Sequence, residues 1–106
     1  MSALGTEFKY GIRVGPVSGL HLQDYDFEVT TYVNPNKSVT FRKSDTEHVK
    51  PIDADSYSVI VDKVNAVKVG RGTVLAQVVV HIPDGDFPDG VRTEVYKDLC
   101  TGVTIT

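Results

Sequence analysis

Apolar and polar residues alternate along most of this chain, the period expected of strands with one face buried and one in water. In "FKYGIRV" the residues Phe8, Tyr10, Ile12 and Val14 share one side, and Lys9, Gly11 and Arg13 the other. "FEVTTYV" turns Phe27, Val29, Thr31 and Val33 inward, and "SVTFRK" does the same with Val39 and Phe41. "SYSVIVD" offers Tyr57, Val59 and Val61. The strongest run, "TVLAQVVVHI", aligns Val74, Ala76, Val78, Val80 and Ile82. Two weaker runs close the chain. "VRTEVYK" sets Val91, Thr93 and Val95 opposite Arg92, Glu94 and Tyr96, and "LCTGVTIT" sets Leu99, Thr101, Val103 and Ile105 opposite Cys100, Gly102 and Thr104. β-Branched residues dominate, as packing on a pleated surface favours.

The interruptions carry turn chemistry. In "NPNK", Pro35 presets φ and Asn36 tolerates positive φ, which predicts a tight hairpin. "GRG" (Gly70 to Gly72) and "IPDGDFPDG" (Ile82 to Gly90) are further turns. One stretch, "DKVNAVKV" (Asp62 to Val69), suits a helix, but it is short enough that a single turn is expected. Some seven short strands with turns between them predict an all-β fold, an antiparallel β-sandwich of Ig-like architecture. The likeness is architectural, because the Cys–Trp–Cys signature is absent and the chain has no tryptophan. A length of 106 residues predicts one domain, 1–106, with residues 1–6 expected to be flexible.

Charge narrows the partners. The net charge is −3, and the one basic cluster, Arg42-Lys43, is followed at once by Asp45 and Glu47. No nucleic-acid or anionic-membrane footprint is therefore expected. No run approaches the roughly 20 apolar residues of a membrane span, so no membrane insertion is expected. The amino terminus, "MSALGTEFKYG", lacks the apolar core and basic flank of a signal peptide. A single cysteine, Cys100, excludes an intrachain disulfide, and its place in a strand predicts a buried or half-buried thiol.

The densest chemistry is the acidic loop, where Asp84, Asp86 and Asp89 sit among Gly and Pro. Counted as an EF-hand from Asp84, position 5 is Pro88, position 6 is Asp89 instead of glycine, and the flanks are strands. The loop reads as a solvated turn, with the three aspartates as weak metal candidates. As a glycosidase pair they lack an apolar setting that would keep one carboxyl protonated. His21, His48 and His81 have no paired metal-ligand spacing, and His81 falls on an outward strand position. "GPVSG" (Gly15 to Gly19) is not a nucleophile elbow. No catalytic residue, cofactor or metal is expected, and no enzymatic activity.

The wrong side of the strands carries a different signal. With Val74, Val78 and Val80 inward, Leu75 and Val79 must point outward beside Gln77, and Ile60 points outward between Ser58 and Asp62. Outward aliphatics on a sandwich predict a covered surface, by a partner, by a second copy, or by a loop such as Val14 to Asp24. Ile60, Leu75 and Val79 are the interface candidates.

Read in order, "EFKYGIRVGPVSGLHLQDYDFEVTTYV", "NKSVTFRKS", "DADSYSVIVD", a G-x-G turn, "HIPDGDFPDGVRTEV" and "TGVTI" resemble small β-sandwich proteins encoded by phages and prophages of Bacteroides-type bacteria. More distantly, the pattern is similar to the amino-terminal domain of phage baseplate upper proteins. Those proteins continue into a long fibrous or receptor-facing part, whereas this sequence stops at Thr106. The resemblance implies a non-enzymatic virion component (tail, baseplate or head decoration) that contacts other virion proteins or itself as a homo-oligomer. It would reside in the virion, or in the bacterial cytoplasm before assembly. The alternative is a carbohydrate-binding or adhesin-like sandwich, calcium-assisted through the acidic loop, with Tyr25, Tyr32 or Tyr96 as its aromatic platform. A small hydrolase comes third.

Overall fold

In the computed structural model, which describes residues 3–15 and 21–106, the alternating runs become strands. They are β1 (Phe8–Arg13), β2 (Asp26–Asn34), β3 (Lys37–Arg42), β4 (Val49–Pro51), β5 (Ser56–Val61), β6 (Gly72–Pro83) and β7 (Val91–Ile105). A helix, α1 (Lys63–Val69), joins β5 to β6. β1, β5 and β4 form a three-stranded sheet, and β3, β2, β6 and β7 a four-stranded one. Every pairing is antiparallel. The protein is an all-β sandwich. Among the described residues no helix is long and apolar enough to cross a membrane.

Inward positions meet between the sheets as the alternation requires. Tyr10, Ile12, Val59 and Val61 from one sheet pack with Phe27, Val29, Val78 and Val80 from the other. Phe27, Val29, Val59, Val61, Val78 and Val80 are wholly buried, each worth about 1.5–3 kcal/mol of transfer free energy. One polar side chain, Thr31, is buried among the described residues, and its hydroxyl meets the Tyr10 hydroxyl at 2.6 Å, tying one sheet to the other.

Four details differ from the sequence expectations. The seven strands are not the seven expected runs: the last two fuse into β7, and β4 supplies the missing one. Three residues are too few to show alternation, yet Val49 is buried and pairs with Val59. The helix runs to seven residues instead of one turn, because Ala66 and Val69 are buried and tertiary packing supplies what propensity lacks. Asn36 does not use its tolerance for positive φ; among described non-glycine residues only Asp98 does. Cys100 is exposed, because β7 is an edge strand and Cys100 stands on its outer side.

Of the segment expected to be flexible, residues 3–6 form a turn closed by Thr6 N–H donating to the Ala3 carbonyl at 3.0 Å. Residues 1–2 and 16–20 lie outside the described residues, and with them most of the "GPVSG" stretch and part of the covering loop expected over the outward aliphatics.

Candidate binding face

The outer face of the four-stranded sheet is built by register. Opposed across its strands are Arg42, Glu28, Val79 and Val95 in one row, and Ser38, Tyr32, Leu75 and Cys100 in another. Between them Thr40 faces Thr30 and Thr30 faces Gln77. The expected outward residues Leu75 and Val79 thus share this face, both half-buried. Ile60 does not join them. It pairs with Lys9 in the other sheet, on the far side of the sandwich.

β7 adds what the sequence did not indicate. Its first half turns Arg92, Glu94 and Tyr96 toward the sandwich and leaves Val95 49% exposed beside Val79. Glu94 partners both of its inward neighbours, although the Nε of Arg92 stays buried without a hydrogen-bond partner. Tyr96 OH donates to Glu94 Oε1 at 2.6 Å, and Arg92 Nη2 approaches Glu94 Oε2 at 3.2 Å. Burial, and then Glu94, pushes the Tyr96 hydroxyl up to about 12.

Beyond Tyr96 the strand bulges. Val78 opposes Tyr96 and Ala76 opposes Leu99, so β7 spends one residue more than β6 over this interval. Asp98 takes the extra turn with φ at 55°, a left-handed conformation that aspartate tolerates better than most residues. Tyr96 and Leu99 both remain on the inner side, while Lys97 and Asp98 are both exposed.

Tyr32, on β2, uses that bulge. Its hydroxyl donates to Asp98 Oδ1 at 2.5 Å and accepts from the Asp98 backbone N–H at 3.0 Å. β6 lies between β2 and β7, so the phenol ring must cross β6 to make this clamp. Burial, followed by the bond to Asp98, raises the Tyr32 pKa. Beside the ring is a half-open groove of about 420 Å³, lined by Thr30, Tyr32, Pro35, Ser38, Gln77, Lys97 and Asp98.

The other sequence candidates lie elsewhere. Asp84, Asp86 and Asp89 occupy the tip of the β6–β7 hairpin. Asp84 Oδ1 accepts the Asp86 N–H at 3.0 Å and Asp89 Oδ1 accepts the Val91 N–H at 3.2 Å, the self-bonding of aspartate turns. None of the three lines the groove. Among the described residues no group of three His, Cys, Asp or Glu is placed to hold a metal ion. Each histidine, isolated in sequence, stands beside a carboxylate: His21 by Asp55 at 3.3 Å, His48 by Asp45 at 2.8 Å and His81 by Glu28 at 2.9 Å. The His48 ring also stacks on Phe41 with centroids 4.4 Å apart. Of the tyrosines named as an aromatic platform, Tyr32 borders the groove, whereas Tyr25 and Tyr96 pack against the core.

No family model matches the chain, no curated protein matches it, and no solved structure matches it.

Proposed function

We propose that this chain is a non-enzymatic interaction module, a component of a phage or prophage particle that works by protein–protein contact. The observation that carries the contact is the Val79–Val95 pair on the outer face, with Val95 half exposed where a sandwich normally carries polar residues. The sequence resemblance supplies the particle. Its partner is a second copy of this chain, since particle components work as symmetric multimers.

The test is Val79→Glu. In water an outward carboxylate costs only the modest repulsion of Glu28 across the strand pair, but it is far costlier when desolvated inside a contact. Light-scattering chromatography should show the wild type self-associating with rising concentration and the variant remaining a monomer, with the β spectrum of both unchanged. A wild type that stays monomeric at high concentration overturns self-docking through this face.

A further inference from the structure

We propose that the groove beside Tyr32 is a binding site for a neutral saccharide. This goes beyond protein docking and stands on different residues. The bulge is the first argument. Regular alternation from Tyr96 would turn Asp98 inward, whereas the extra residue leaves Lys97 and Asp98 together on the exposed face. A backbone held in the left-handed region at a non-glycine residue is a cost that clusters at ligand-clamping sites.

The second argument is the donor and acceptor set. Lys97 donates, Asp98 accepts, and the Gln77 amide and the Thr30 and Ser38 hydroxyls do both. Thr30 already shares its hydroxyl with Thr40 at 2.9 Å, which orients it. Adjacent sugar hydroxyls likewise each donate and accept, so this mixed set suits a polyol. The neighbouring opposite charges select against ionic ligands, because an anion meets Asp98 and a cation meets Lys97. An aliphatic ligand would strip water from both and return nothing.

The third argument is shape. The volume lies toward the lower end of the range of small-molecule sites. Tyr32 supplies an aromatic surface whose hydroxyl is already held by Asp98, so little freedom is lost on binding. The groove also lies across the face of the sheet and not along an edge, where an extended peptide would add as a strand.

The test uses amide correlation NMR of the full chain, titrated to millimolar levels with glucose, galactose, N-acetylglucosamine and a β-linked trisaccharide of each. At least one should shift the Gln77 side-chain amide and the Lys97 and Asp98 backbone signals, with the hairpin tip at Asp86 unmoved. Gln77→Ala and Lys97→Ala, which leave the Tyr32–Asp98 hydrogen bonds in place, should each weaken binding by about tenfold. The proposal is overturned if no saccharide moves these signals, if both variants bind as the wild type does, or if inorganic phosphate shifts the groove in place of the sugars. Repeating the titration on Val79→Glu separates the two readings: sugar shifts that persist in the monomer support the groove whatever chromatography says of docking.

Discussion

The Tyr10–Thr31 bridge is a buried polar contact whose value can be worked out in advance. Thr31 is wholly buried and Tyr10 is 5% exposed, and their hydroxyls meet at 2.6 Å between the two sheets. Around Thr31 the strand neighbours are Val39 and Ala76, which offer no side-chain polar partner. Tyr10→Phe or Thr31→Val alone therefore leaves one hydroxyl buried and unpaired, at a cost of about 1–3 kcal/mol. The double replacement removes both groups with little change of shape and should cost less than the sum of the singles. A coupling of about 1–3 kcal/mol is expected. Urea unfolding followed by far-ultraviolet dichroism resolves this, because a chain of this size has a slope of about 1–3 kcal/mol per molar and a loss of about 2 kcal/mol moves the midpoint by about 1 M.

The same pair has an alkaline signature. Burial pushes the Tyr10 hydroxyl from 10.0 up to about 12, against a smaller opposing effect of the Thr31 bond. The folded state then holds a proton that the unfolded chain releases. Stability is complete below pH 10 and falls by about 1.4 kcal/mol per unit from pH 10 to about 12, and Tyr10→Phe should abolish that part of the slope. Additive single effects, or an unaltered alkaline slope in Tyr10→Phe, would refute the reasoning.

Two further outcomes are expected. At Gly72 φ is 132° and an added Cβ would lie 2.7 Å from Val33 Cγ1, so Gly72→Ala should cost about 1–3 kcal/mol in thermal or urea unfolding; Gly85→Ala, with open space around it, should be near neutral. A native-state ligand at a hundredfold excess over its Kd adds about 2.7 kcal/mol, so a turn that binds no ion predicts the same melting temperature in millimolar calcium and in excess chelator. A rise of several degrees, lost in Asp86→Ala, would instead make the hairpin tip a calcium site.

Period-two alternation was enough to orient β1, β2, β3, β5 and β6, because one face of each carries consistently apolar side chains and a one-residue slip would expose them all. Val74, Ala76, Val78, Val80 and Ile82 are buried as the sequence reading requires. The turn character of Asp84, Asp86 and Asp89 was equally legible, because aspartate bonds its own backbone locally. β7 was not. Its valines and its polar residues compete for one face, and pairing with β6 turned Arg92 and Glu94 inward and left Val95 outside. Ile60, Leu75 and Val79 all read as outward, yet nothing local says that Ile60 belongs to a different sheet. In α1 the signal was present: Val64, Ala66, Val67 and Val69 cannot all face inward on two turns, and Val64 and Val67 are left at 68% and 59% exposure. The groove lay furthest from view. Tyr32 and Asp98 stand 66 positions apart, joined only because β2 and β7 flank β6 and one bulge turns a carboxylate outward. Strand identity and facing are local properties of side-chain order, whereas sheet membership, edge position and every contact across a third strand depend on which distant segments pair.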